Sequence, residues 1–156
     1  MILSDVKNKL NFLSNKILYI IGSNIKTSGY FQRSLHILRH SPNILGCYNP
    51  LIVHIQKNKI ENHNGTSLLH ITKDKLLQII LYNINTIIVP SNHVNFNSIY
   101  DYLKKNTNKK IKFIYEFRGL WFLTEHAKRE YENKKNLKFN YFILNEIRKE
   151  RNAINK

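Results

Sequence analysis

Three short apolar runs recur along this chain, and each stops at a polar or glycine-bearing tip. They are Ile17-Leu18-Tyr19-Ile20-Ile21, Thr86-Ile87-Ile88-Val89 and Ile111-Lys112-Phe113-Ile114-Tyr115. Continuous β-branched and aromatic runs of this length mark strands covered on both faces, as in a parallel sheet. The intervening segments repeat at helical spacing. Phe31 to Arg39 places Phe31, Leu35 and Leu38 on one side; Lys73 to Tyr82, behind an N-cap at Thr72, has Leu76, Leu77, Ile80 and Leu81 on its apolar face. Strand, polar loop and helix in alternation predict an α/β fold, a Rossmann-like parallel sheet with helices on both faces.

The remaining elements are read with the same rules. Leu51 to Ile55 is expected as a second strand, a turn follows at Asn62-His63-Asn64-Gly65, and Ser67 to Ile71 is expected as a third, peripheral strand. Pro42 closes the first helical region and Pro90 stops the strand at Val89. Helices are expected over Asn97 to Lys105, Phe122 to Lys134 and Leu137 to Ile154, the last packing on the sheet through Phe142, Ile143 and Ile147. With 156 residues this is one domain, its core running from about 15 to 150.

Composition narrows the class. Apolar residues make up 42% and aromatics 12%, which fits a folded globular chain. Lys and Arg number 25 against 10 acidic residues, a formal charge of +15. Such a charge suits anionic lipid or nucleic acid, or a Lys/Asn/Ile-rich proteome. Apart from Lys104-Lys105 with Lys109-Lys110 and the basic tail, the lysines are scattered, so charge alone names no partner. No strand alternates aromatic and basic residues, so no nucleic acid is expected. Cys47 is the single cysteine, which rules out an internal disulfide framework and fits a reducing cytoplasm. Met1 to Leu13 is interrupted by Asp5, Lys7 and Lys9 and does not read as a signal peptide; no run is long enough to span a bilayer. Asn64-Gly65-Thr66 reads as a turn rather than a glycosylation acceptor. His54, His63 and His70 lie near one another in sequence, but no carboxylate or cysteine stands at ligand spacing with them, so no metal site is expected.

Open α/β sheets build their sites at the carboxyl ends of strands. The first tip runs from Gly22 and Ser23 to Gly29 and Tyr30, a helix start facing a strand end, suited to a phosphate or to sugar oxygens. It lacks the G-x-G-x-x-G fingerprint. The second, Ser91-Asn92-His93-Val94-Asn95, is expected as a polar loop and presents the best-placed imidazole for acid–base work, His93. The third follows Tyr115: Glu116, Arg118 and Gly119 join a carboxylate, a rigid guanidinium fork and a flexible turn. Glu116 either holds the Arg118 fork or accepts from sugar hydroxyls. The plainer readings are a structural Glu116–Arg118 pair beside a core Trp121, a surface Arg33 and a loop His93 bonded to backbone.

These tips carry a resemblance. Tyr115-Glu116-Phe117-Arg118-Gly119-Leu120-Trp121 resembles the Tyr-Glu-Val-Arg-Gly-Leu-Trp segment of family 4 glycosyltransferases, in the amino-terminal domain of their GT-B fold. Ser28-Gly29-Tyr30 followed by Arg33-Ser34 is similar to that family's first helix start, and Ser91 to Asn95 to its fourth strand-end loop. Phe122 stands where the family has Glu, and Leu35 where it has His; His36 is one place later and so points elsewhere on a helix.

The resemblance implies a retaining transferase that moves a sugar from a nucleotide-sugar donor to a saccharide or lipid-linked acceptor, without bound metal or other cofactor. It implies His93 beside the transferred sugar and Gly22 and Ser23 near the donor phosphate. Gly29, Tyr30, Arg33, Asn92, Glu116, Arg118 and Gly119 would form the substrate cleft. It covers the acceptor-side domain only; the donor-binding domain is absent from the match, so little activity is expected of these residues alone. The implied setting is cytoplasmic, at the inner face of the membrane. Two other readings stand beside it: a non-catalytic module holding polysaccharide or a membrane surface, and, less favoured, a basic nucleic-acid binder.

Overall fold

Of the three strands that read most clearly in sequence, Ile17–Ile21 and Thr86–Ser91 lie inside the sheet, whereas Lys112–Phe117 forms one edge, with Lys112 and Ile114 exposed rather than buried. The computed structural model describes residues 17–23, 25–91, 93–117 and 139–156. In chain order the elements are β1 (Ile17–Ile21), α1 (Gly29–Arg39), β2 (Ile44–Tyr48), β3 (Lys59–His63), β4 (Thr66–His70), α2 (Lys73–Asn83), β5 (Thr86–Ser91), α3 (His93–Asn106), β6 (Lys112–Phe117) and α4 (Phe139–Ile154). The six strands lie in the order β3-β4-β2-β1-β5-β6. All neighbours are parallel except the antiparallel hairpin β3–β4. This is the α/β, Rossmann-like architecture expected, with four helices among the described residues.

Alternation along each strand divides the core in two. Leu18 and Ile20 of β1, Cys47 of β2 and Ile87 and Val89 of β5 face one way, against Leu76 and Ile80 of α2, Phe96 and Ile99 of α3 and Ala153 of α4. Tyr19 and Ile21, with Tyr48 and Leu68, face the other way, against Phe31, Leu35 and Leu38 of α1. Strands so covered have no room for polar side chains, which is why their sequences are unbroken apolar runs.

Several expected boundaries are corrected. The second strand is Ile44–Tyr48, not Leu51 to Ile55. Asn49 takes up the latter segment: its carbonyl accepts from Ile52 N and Val53 N at 3.2 and 2.9 Å, and its side chain accepts from Leu51 N at 3.0 Å, which winds the backbone into a turn. The strand expected at Ser67 to Ile71 forms as Thr66–His70, but as an interior one, because the polar Lys59–His63 pairs outside it as the sheet edge. The Asn64-Gly65 turn joins the two with φ of 49° and 86°, the left-handed pair that a tight hairpin requires. In α2 the apolar face is Leu76, Ile79 and Ile80, while Leu81 is exposed, and the Thr72 side chain makes no capping bond. β5 continues through Pro90 to Ser91, paired with β6 as far as Phe117. The expected helix over Phe122 to Lys134 lies outside the described residues.

Candidate functional site

The chain leaves β1 in one direction to build β2 and β4, and later returns to add β5 and β6 on the other side. The switch therefore falls between β1 and β5. Their ladder ends at the Tyr19–Ile88 pair, so the strands part just before their carboxyl ends. Such a parting at a switch point is where open α/β sheets take ligands.

Two side chains reach into the gap. From α1, the Tyr30 hydroxyl accepts from Gly22 N at 3.3 Å and donates to Pro90 O at 3.4 Å. From α3, the Asn95 amide donates to Ile20 O and Pro90 O, both at 3.1 Å, supplying the bonds that the ended ladder cannot. Asn49, at the end of β2, donates to Asn95 Oδ1 at 2.6 Å and to Ser98 Oγ at 2.8 Å. Asn49 and Asn95 are both buried. Their role escaped the sequence reading, although each stands directly beyond a strand, where asparagine favours local backbone bonds.

On the α1 face a charged group completes the floor. Glu116 of β6 accepts from the Tyr19 hydroxyl at 3.0 Å and stands 3.7 Å from the Arg33 guanidinium, one helical turn beyond Tyr30. Arg33 remains 65% exposed against 25% for Glu116, so the guanidinium is free to meet an incoming oxyanion while the carboxylate is held. Ser28 caps α1 by accepting from Phe31 N at 3.1 Å, and Ser23 Oγ accepts from Ile25 N at 3.2 Å. Gly29 opens α1 with no atom within 4 Å of where a Cβ would stand, which leaves its backbone open to approach. Gly22, Tyr30, Arg33 and Glu116 are thus brought together, with Ser23 and Gly29 on the loop beside them. Asn92, Arg118 and Gly119 lie outside the described residues.

His93 stands elsewhere than expected. It is the first residue of α3 rather than part of a loop, and it is 5% exposed. Its backbone N–H and its Nδ1 both lie 3.2 Å from Glu150 Oε1, and its Nε2 is 3.8 Å from Glu146 Oε2. The same Glu150 accepts from the Tyr115 hydroxyl through its other oxygen. Tyr115 and Glu116 are successive residues of β6 and point to opposite faces. His93 therefore sits across the sheet from Arg33 and Glu116, at the same edge, clasped by carboxylates of α4. The reason was not local: both partners lie more than fifty residues on.

A second polar cluster lies towards the β3 edge. The Tyr48 hydroxyl is 3.2 Å from His63 Nε2 and 3.5 Å from Glu61 Oε2, and Glu61 also meets Lys59 at 2.8 Å. Among the described residues no set of three His, Cys, Asp or Glu is placed to hold a metal ion. The cluster does predict acid sensitivity. The bond from Lys59 holds the Glu61 carboxyl at about 2, below its ordinary 4.5, and burial lowers His70 below its ordinary 6.5. Both shifts make the unfolded chain bind protons first, so stability present above those ordinary values falls with pH, through His70 first and then through Glu61 from about 4.5 towards 2. Thermal melts between about pH 7 and pH 3 should show Glu61→Gln losing less stability than wild type over the lower part of that range; parallel curves would refute it.

Comparison with family models, with curated proteins and with solved structures gave no significant match for this chain. Among the described residues no helix is long and apolar enough to cross a membrane.

Proposed function

We propose that this chain supplies the acceptor-side half of a retaining glycosyltransferase of the GT-B type. It moves a sugar from a nucleotide-sugar donor to a saccharide or lipid-linked acceptor, in the cytoplasm at the inner face of the membrane. One observation carries the reading: Gly22, Tyr30, Arg33 and Glu116, picked out by position and resemblance, meet where the sheet switches direction. A carboxylate pinned by a phenol beside an exposed guanidinium is a fitting pair for sugar hydroxyls and a lipid-linked phosphate. Ser23 and the open backbone at Gly29 add donors at the mouth. His93 is a positioning residue here: it fixes the start of α3 and with it Asn95 in the gap. The donor-binding half either continues this chain or comes from a second one.

The test is a panel of mono- and oligosaccharides and UDP-glucose screened by amide chemical-shift perturbation. A true acceptor moves Gly22, Tyr30 and Arg33 together. Arg33→Ala should weaken that hit by about tenfold. Its melting temperature should stay within about 2 °C of wild type, because an exposed ion pair contributes little to stability. Hits that shift only distant residues, or that ignore Arg33→Ala, would remove the proposal.

A further inference from the structure

The opposite edge of the sheet holds a feature that sugar transfer does not use. At the amino ends of β5 and β6 lies a cavity of about 700 Å³, lined by Lys104, Lys109, Lys110 and Lys112 with Leu103 and Phe113 among its apolar walls. No carboxylate among the described residues lines it. With β5 six residues long, the cavity and the crevice are separated by about 16 Å of strand.

Helices α2 and α3 both end close by, and each carboxyl terminus carries roughly half a negative charge. Lys109 answers that charge: its Nζ donates to Ile80 O at 2.7 Å and Leu81 O at 3.2 Å, in the last turn of α2. The helix ends together amount to about one negative charge, which one lysine balances. Lys104, Lys110 and Lys112 remain as surplus, and like charges gathered round a concavity repel one another unless an anion joins them. Lys104 also lies 5.5 Å from the centre of the Tyr100 ring, which restrains it near the mouth.

We infer that this cavity binds a compact polyanion, a small molecule bearing a di- or triphosphate group. The volume lies within the ~300–1,000 Å³ typical of small-molecule sites, and a concave wall favours a compact ligand over an extended strand or a flat lipid surface.

The experiment is calorimetric titration of the intact chain with sodium tripolyphosphate at about 150 mM salt, which screens the diffuse +15 field. Saturable one-to-one binding is expected. Lys110→Gln with Lys112→Gln should raise Kd at least about tenfold, while Lys26→Gln with Lys57→Gln, equal in charge and on the β3–β4 side of the sheet rather than by β5 and β6, should leave it within about twofold. All four side chains are exposed, so folding is not at stake. Tighter binding of ATP than of tripolyphosphate would assign the ligand to nucleotides; equal binding would assign it to the phosphate chain alone. Equal weakening in both double variants, unsaturable heat, or a single-stranded oligonucleotide that tripolyphosphate fails to displace would overturn the inference.

Discussion

Glu150→Ala should be the most destabilising single substitution among the polar residues of this fold. Glu150 is 4% exposed and its carboxylate serves three donors: the His93 backbone N–H, the His93 ring and the Tyr115 hydroxyl. The first of these opens α3, so a side chain from a distant helix acts as its cap. Burial, and then the bond to Glu150, push the Tyr115 phenol well above its ordinary value, so it stays a donor throughout the physiological range. Alanine would strand buried donors at about 1–3 kcal/mol each, for a total of about 3–5 kcal/mol. In a domain of this size that lowers the melting temperature by about 10 °C or more. Glu150→Gln, which keeps one acceptor oxygen, should cost less than half as much, and Tyr115→Phe about 1 kcal/mol. A Glu150→Ala protein melting within about 2 °C of wild type would show that the clasp does not tie α4 to the sheet.

That clasp also shows where reading the sequence reached its limit. β1 and β5 were legible because burial on both faces writes an unbroken apolar run, and the edge strand β6 because its Phe113, Ile114 and Tyr115 are β-branched or aromatic. β2 is as buried, yet Gly46 and Cys47 dilute its pattern and the Leu51 to Ile55 run beside it looks more strand-like. β3 was invisible because an edge strand with the burial pattern of Lys59–His63 carries polar residues. The start of α3 was missed. Glu150, 57 positions away, also takes the His93 N–H, a partner that no local pattern names. The site divides in the same manner. Gly22, Tyr30, Arg33 and Glu116 follow from the rule that strand ends make sites, but two contacts of Glu116 do not. Tyr19 and Arg33 approach it from β1 and α1, elements far from it in the chain. Pairings of that kind depend on strand order, which local pattern does not encode.

Gly22→Ala should be nearly as damaging, and for a reason that a second substitution can expose. A Cβ at Gly22 would stand 2.6 Å from Asn95 Cγ and 2.7 Å from its Oδ1. Asn95 is unable to retreat cheaply, since its amide bridges Ile20 O and Pro90 O and its oxygen is held by Asn49. Overpacking against so fixed a group costs about 2–3 kcal/mol, and disturbing the bridge adds to it. The gap between β1 and β5 would be forced wider, so any ligand seated there should be lost along with stability. Asn95→Ala alone should cost about 2 kcal/mol by leaving carbonyls and Asn49 unanswered. In the double variant the clash has no object, so its cost should fall short of the sum by at least about 1 kcal/mol. Strict additivity in denaturant melts would mean that Gly22 and Asn95 are not in contact, and the crevice as described would have to be redrawn.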